Sequence, residues 1–306
     1  MKDISVIIVS FNTEKLTVDA VNSVINKTKG MSFEIIVVDN NSQDGSVSAL
    51  RKLVESNKNI TLVLNRKNVG FGQANNQGIK KAKGKYILLL NSDTLITDNV
   101  IGEMVGWMDK NLKIGIASCS LKNKDGSVQA TGGFFPTLPR VFAWMTFLDD
   151  LPGMGKILKP FHPMHDLSPF GGNTGFYNKD HSMDWVTGAF FMMRREVVRD
   201  VGYLDRDYFM YMEEVDYCFR AKRLGWEVIY LPRWSIIHFG GASSVKEFSI
   251  INEFKGLKIF YKKHMASWQF PILRFLLKVG ALIRIPIFGK TYAKIFVLAY
   301  NALLAK

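Results

Sequence analysis

Polar and apolar positions alternate in blocks along the first hundred residues. Residues 4–9, 33–38, 60–64 and 86–90 are short, predominantly apolar runs, too short for helices, and 86–90 has no polar interruption. Such runs predict strands buried on both faces. The stretches between them, 14–27, 46–57 and from Gly72 to Lys83, carry apolar residues at helical spacing. Strand, helix, strand, helix at this interval predicts parallel βαβ units with right-handed crossovers, hence an α/β fold with helices on both faces of a mostly parallel, Rossmann-like sheet. Each run stops at a polar cluster: Ser10-Phe-Asn12-Thr13, Asp39-Asn40-Asn41-Ser42, Asn65-Arg66 and Asn91-Ser92-Asp93. All four fall at carboxyl ends of strands, so they are expected to line one edge of one sheet, where open α/β sheets bind ligands.

Further along, a helix over 99–110 and a strand over 114–118 are followed by a looser stretch, 123–183, rich in Gly, Pro, Phe and His. It reads as an insertion or lid within a domain spanning 1–250. His162, His165 and His181 share no metal-ligand spacing and are expected to be surface or packing residues. An apolar run after Met183 predicts a strand, and 196–201 a short helix. Val215, Phe219, Ala221 and Leu224 give helical periodicity to a segment that begins with Glu213, Glu214 and Asp216 and stops at Gly225. Residues 226–231 predict a strand closed by Pro232, and Ile236-Ile237-His238 a short run beside Gly240 and Gly241.

Three patterns carry candidate chemistry. Asp93, at a strand end in a predicted crevice, suits a divalent cation, since hard cations take carboxylate oxygens. His238, where the chain leaves a sheet edge, is the expected second ligand with Asp93. The adjacent Glu213 and Glu214 follow an aromatic-rich segment. A carboxylate held near an apolar wall has a raised pKa and suits proton abstraction from an alcohol. Asp216 lies four residues before Arg220, so the two can pair as well. No Gly-x-Gly-x-x-Gly follows the first strand, because Gly70-Phe71-Gly72 follows the third and the next glycine is Gly78. That excludes the dinucleotide fingerprint, and with it a nicotinamide oxidoreductase. Asp39 is an acceptor for a ribose hydroxyl or a base N–H.

Charge changes the picture at the C-terminal end. The 306-residue chain carries +13, and residues 255–306 hold ten Lys or Arg with no Asp or Glu, leaving +3 for the rest. Apolar clusters alternate with single cations there, and no uncharged apolar run reaches the roughly 18 residues of a spanning helix. Residues 251–306 are therefore expected to form basic amphipathic helices on an anionic membrane surface, with core-packing helices bearing a solvated basic face as the competing expectation. A nucleic-acid partner is not expected, because aliphatic bulk interleaves the charges. Cys119 and Cys218 read as core thiols in a reducing compartment. A strand begins almost at once, so no secretory leader is expected.

As an ordered set, Val9-Ser-Phe-Asn12, Val37-Val-Asp39-Asn-Asn-Ser42-Gln-Asp44-Gly45-Ser46, Asn68-Val-Gly-Phe-Gly72, Asn76-Gln-Gly78, Leu90-Asn-Ser-Asp93-Thr94, Trp185-Val-Thr-Gly188-Ala189, Tyr211-Met-Glu213-Glu214-Val-Asp216 and His238 with Ser243 resemble a known family. It is the family 2 nucleotide-sugar glycosyltransferases of the GT-A fold, especially rhamnosyltransferase-like members. The resemblance spans about residues 4–244 and leaves out 123–183 and the tail.

It implies an inverting transfer of rhamnose or another hexose from a dTDP- or UDP-linked donor to a lipid-linked or polysaccharide acceptor of the cell envelope. A cytoplasmic enzyme held at the inner face of the membrane is implied too, with Mg²⁺ or Mn²⁺ neutralising the diphosphate. Ser10, Asn12, Asp39 and Arg66 would hold the nucleoside, with Asn76, Asn91, Ser92, Asp93 and Trp185 also on the donor. Gly188 and Ala189 would line the sugar pocket, and Asp93 with His238 would bind the metal. The usual Asp-x-Asp is Asn91-Ser92-Asp93 here, one anionic ligand fewer. The usual Glu-Asp pair is Glu213-Glu214; the base falls on Glu214, with Glu213 and Asp216 open. A nucleotidyltransferase, or a silent nucleotide-sugar-binding scaffold, are the alternatives.

Overall fold

The computed structural model describes residues 2–151, 153–164, 174–240 and 246–304. The four apolar runs form β1 (Lys2–Ser10), β2 (Phe33–Asp39), β3 (Ile60–Leu64) and β4 (Gly84–Asn91), parallel and in the spatial order β3-β2-β1-β4. Crossovers α1 (Glu14–Lys27), α2 (Ser46–Ser56) and α3 (Phe71–Lys81) join them. Neighbouring residues on one strand enter opposite cores: Ile7 and Leu89 face one side, Ile8 and Leu88 the other. Both faces being covered explains the runs' lack of polar alternation.

Beyond β4 the chain adds β5 (Thr94–Leu95), α4 (Val100–Lys110), β6 (Ile114–Lys122) and β7 (Gly132–Gly133). Next come α5 (Leu138–Thr146), α6 (Met154–Leu158), β8 (His181–Ser182), β9 (Trp185–Val186) and β10 (Phe190–Arg194). The last elements are α7 (Arg195–Val201), α8 (Glu213–Arg223), β11 (Glu227–His238), α9 (Lys246–His264) and α10 (Gln269–Leu304). Among the described residues the main sheet runs β3-β2-β1-β4-β10-β6-β11-β5, with β8 also on β11.

Two features differ from the sequence expectation. First, β10 lies antiparallel between β4 and β6, so the sheet is mixed beyond its parallel first half. This inversion brings Gly188 and Ala189, which precede β10, to the same edge as the carboxyl end of β4. Second, the strand expected to close at Pro232 continues to His238. Its register against β6 shifts between Leu231 and Ser235, and a bulge is where a strand tolerates a residue without an N–H. The continuation pairs His238 with Thr94 of β5, beside Asp93.

The insertion is tied to the C-terminal helices where it is described. Its α5 packs against α10, and Tyr261 of α9 donates to Pro136 O at 2.6 Å. The tail has two faces. Phe254, Leu257 and Phe260 of α9 and Leu273, Leu277 and Ala299 of α10 are buried in the main core. Arg284 is buried with them and donates to Met145 O (2.7 Å) and Trp144 O (2.9 Å), carbonyls at the end of α5. Cations satisfy such unpaired terminal carbonyls well. Burial lowers this guanidinium to about 10. Gly280 makes room for α5, since a methyl group there would meet the Met145 side chain at 2.4 Å. On the outward face of α10, Phe275 and Leu282 are 63% and 55% exposed, near Lys278, and Gly289 (φ 78°) breaks the helix into two legs.

Candidate active site

The ends of β1, β2 and β4 meet through their polar clusters. Asn40 N–H donates to Ser10 O, Asn12 N–H to Ser42 Oγ, and Gln43 N–H to Asn12 Oδ1. Asn12 takes a positive φ of 54°, which asparagine accepts more readily than most residues. Buried hydroxyls run beneath: Thr17 Oγ1 donates to Ser10 Oγ (3.1 Å), and Thr13 Oγ1 to Ser92 Oγ (3.3 Å). Asp39 uses one oxygen to accept from Ser42 N–H at 3.0 Å, while its buried Oδ2 has no partner. An unpartnered buried acceptor at a strand end is what a nucleoside's N–H or O–H donor would satisfy.

Asn40 shapes the next loop. Its Oδ1 accepts from Asn65 Nδ2 and Val69 N–H, its Nδ2 donates to Asn68 Oδ1, and that oxygen accepts Gly70 N–H. Gly70 needs its φ of 86°, and a methyl group there would strike Phe209 O at 2.4 Å. The loop links the two halves of the site. A methyl group on Gly72 would lie 3.7 Å from the Glu213 side chain, and one on Gly188 would lie 3.1 Å from the Phe71 ring. Ala189 O accepts Asn91 N–H at 3.1 Å. Glu213, Gly72, Phe71, Gly188, Ala189 and Asn91 thus form one contiguous wall.

At the other end of that wall, His238 Nε2 lies 3.3 Å from Asp93 Oδ1 and 3.5 Å from Asn91 Nδ2. Gln129 orients the ring. Its Nε2 donates to His238 O and Asn123 Oδ1, so its Oε1 must accept from Nδ1–H at 2.7 Å. This turns Nε2, which bears a lone pair in the neutral ring, toward the carboxylate, and Asp93 Oδ1 is buried without a hydrogen bond. Two lone pairs turned on one another fit a cation between them, as metal-bound imidazoles with the other N–H held do. No group of three or more His, Cys, Asp or Glu among the described residues could hold an ion alone. Further oxygens would have to come from a ligand, as for Mg²⁺ on substrate phosphates.

The acidic helix α8 starts from a strained turn. Tyr211 (φ 68°) and Met212 (φ 72°) are consecutive non-glycine residues in the left-handed region, each costing about 1–3 kcal/mol. The turn delivers Glu213 and Glu214 into the interior, where Oε2 of each is buried without a partner. Burial pushes Glu213 well above the usual carboxylate range, and the Glu214 charge adds to it. Burial likewise raises Glu214 to about 7, with the Glu253 charge contributing.

Asp216 differs from both. Fully buried, it accepts His264 Nε2–H at 2.6 Å on Oδ1 and Arg220 Nε–H at 2.8 Å on Oδ2. Both oxygens are engaged, which suits an anchor rather than a base.

Other expected donor residues are placed differently. Asn76 uses both ends of its amide on Leu204, donating to its O at 2.7 Å and accepting its N–H at 3.0 Å. Trp185 is buried and donates to Phe134 O, tying β9 to the insertion. Arg66 is exposed on the loop after β3. His165 and Ser243 lie outside the described residues. His181 Nε2 bonds Phe176 O, and His162 pairs with Glu253 at 2.6 Å. Sequence reasoning missed Gln129 and His264, which act through partners more than a hundred and nearly fifty residues away. A cavity of about 650 Å³ opens beside His238, lined by Lys15 and Lys124 together with Asp19 and Asp125.

A mixed α/β sheet with its polar strand ends gathered at one edge is the GT-A architecture. Residues 5–202 match the model of glycosyl transferase family 2, and the chain belongs to that family. It is 24% identical over 252 residues to the N-acetylglucosaminyl-diphospho-decaprenol L-rhamnosyltransferase of Mycobacterium tuberculosis, covering 78% of each chain. It is 26% identical over 227 residues to the low-salt glycan biosynthesis hexosyltransferase Agl10 of Haloferax volcanii, covering 73% of this chain and 62% of that one. The fold superposes with a TM-score of 0.59 on a Pyrobaculum calidifontis mannosyltransferase in complex with GDP-Man and Mn²⁺, at 16% identity, over 100% of this chain and 81% of that one.

Glu214→Gln tests the burial of this carboxyl. A carboxyl whose folded pKa is raised from 4.5 to about 7 contributes stability below pH 4.5 and loses it as pH rises through 7. The thermal midpoint of the variant is therefore expected to exceed that of the wild type at pH 8, with the difference closing by pH 5. Equal midpoints at both pH values would show a carboxyl in contact with water.

Proposed function

We propose that this chain moves a hexosyl unit, rhamnose or a close relative, from a dTDP- or UDP-linked sugar to a lipid-linked or polysaccharide acceptor in cell-envelope synthesis, with inversion. The observation that carries the reading is the wall joining two unsatisfied acidic groups. Glu213 stands at one end with Glu214 next to it on the first turn of α8, Asp93 with His238 at the other, and the small residues Gly188 and Ala189 lie between.

Chemically, the acceptor oxygen bonds to the anomeric carbon while the bond from that carbon to the diphosphate oxygen breaks on the opposite face. The nucleoside diphosphate leaves with the electron pair. Glu214 takes the acceptor's proton. A carboxylate raised to about 7 is ionised over much of the neutral range yet basic enough to assist, the compromise a general base needs. Ser10, Asn12 and Asp39 hold the nucleoside side. Asp93 and His238 would hold Mg²⁺ or Mn²⁺, which supplies charge neutralisation to the diphosphate. With only two protein ligands, ion and donor are expected to bind together.

The acceptor class rests on similarity to the rhamnosyltransferase, whose name specifies a diphospho-decaprenol acceptor. It is also supported by the exposed face of α10, where Ile272, Phe275 and Leu282 alternate with Lys278. That face suits the interface of an anionic membrane, apolar rings entering the headgroup region and lysines meeting phosphates. No helix among the described residues is long and apolar enough to cross a bilayer, so attachment would be by this face.

Two measurements check these statements. Incubation with a panel of dTDP-, UDP- and GDP-sugars, Mn²⁺ and lipid-diphosphate acceptors is expected to release nucleoside diphosphate. Turnover should rise with pH through about 7 and fall about 10²- to 10⁴-fold in Glu214→Gln. Pyrophosphate release instead would mean nucleotidyl transfer, and nucleotide binding without product from any acceptor would mean a silent scaffold. Sedimentation with vesicles containing anionic lipid is expected to pull down the wild type, and Phe275→Ser with Leu282→Ser to stay in the supernatant. Equal sedimentation of both would remove the membrane assignment.

A further inference from the structure

The acidic turn is supported by a helix outside the segment that matches the family model, which ends at residue 202. Two consecutive left-handed residues persist only where their surroundings over-determine them. At Tyr211 and Met212 those surroundings come largely from α9. Tyr211 Oη shares a 2.7 Å hydrogen bond with Ser249 Oγ. Met212 packs where Gly256 has no side chain, and a methyl group there would meet Met212 Cγ at 2.5 Å and Cβ at 2.6 Å. One turn into α8, His264 Nε2 donates to Asp216 Oδ1. Lys263 pairs with Asp205 and Asp207 on the approach to the turn. Phe209 and Phe219, either side of the acidic pair, meet Phe248 and Phe260 of the same helix edge to face.

We propose that His264 is a positioning residue for transfer: through Asp216 it pins the first turn of α8 and so fixes where the Glu213 and Glu214 carboxylates stand. The proposal rests on the reading of Glu214 as the base. Asp216 cannot drift, because Arg220 holds its second oxygen and is itself tied to Val201 O (2.9 Å) and Tyr203 O (2.9 Å). His264 closes this clamp from the other side, between the rings of Phe219 and Phe260. Because α10 packs on α9, the outward apolar face and the acidic pair share one rigid support. A misplaced catalytic group lowers the rate of the chemical step without changing how tightly the nucleotide binds at the far end of the site.

The test compares His264→Ala, His264→Gln and Tyr211→Phe in the full chain with Glu214→Gln in parallel. Turnover, donor KM and nucleoside diphosphate affinity by calorimetry are measured on each. His264→Ala is expected to lower kcat about 10- to 100-fold with nucleotide affinity unchanged. His264→Gln, whose amide N–H can reach Asp216, is expected to recover most of it. Tyr211→Phe is expected to lower kcat in the same direction by a smaller factor.

Wild-type kcat in His264→Ala while Glu214→Gln is inactive would overturn the proposal and leave the base assignment standing. A His264→Gln variant no better than His264→Ala would overturn it as well. Full turnover in Glu214→Gln would instead overturn the assignment of the base. Should His264→Ala fail to fold, Tyr211→Phe and Gly256→Ala decide: lowered kcat at unchanged nucleotide affinity supports the clamp, and wild-type kcat in both overturns it.

Discussion

Buried carboxylate oxygens without partners are costly, and this fold keeps several of them around one crevice. Asp39 Oδ2, Asp93 Oδ1, Glu213 Oε2 and Glu214 Oε2 are all shielded from water without a hydrogen bond. Asp216, by contrast, is paired with His264 and Arg220, and Asp184 with Arg140 and Lys222. Open acceptors at strand ends and at a helix start are what an incoming ligand's donors or a cation would satisfy. The parallel half of the sheet supplies Asp39 and Asp93 from its strand ends, and the strained turn before α8 supplies the glutamates. The inverted strand β10 closes the gap between them.

Much of this was readable from the sequence, and the reason is physical. Strands covered on both faces leave predominantly apolar runs, and a chain leaving such a strand must turn at once, so Ser10, Asp39 and Asp93 stand out at the ends. The place of His238 was legible only in part. Pro232 looked like a stop, whereas the strand passes it through a bulge and carries His238 to Thr94. A one-dimensional pattern does not show which ladder N–H groups are dispensable. Asn76 and Trp185 illustrate the opposite case. Their residue types suit a ligand, yet a backbone from a distant loop takes Asn76's amide and the insertion takes Trp185's indole N–H. His264 gave no local signal, because its meaning lies in a partner forty-eight positions earlier.

The tail has a buried face and an exposed one. Core packing claims one face of α9 and α10, with Arg284 drawn in to cap α5. The opposite face of α10 stays apolar and basic. One stretch of chain therefore packs on the acidic turn with α9 while leaving Phe275, Leu282 and Lys278 of α10 exposed outside, which its composition alone could not separate.

The most direct test of the central claim is anomalous diffraction from crystals soaked with Mn²⁺ and a nucleoside diphosphate. The account predicts a manganese peak between Asp93 and His238 with diphosphate oxygens completing its shell, and the nucleoside on Asp39. Manganese bound elsewhere, or a nucleotide seated away from Asp39 and Asp93, would contradict it.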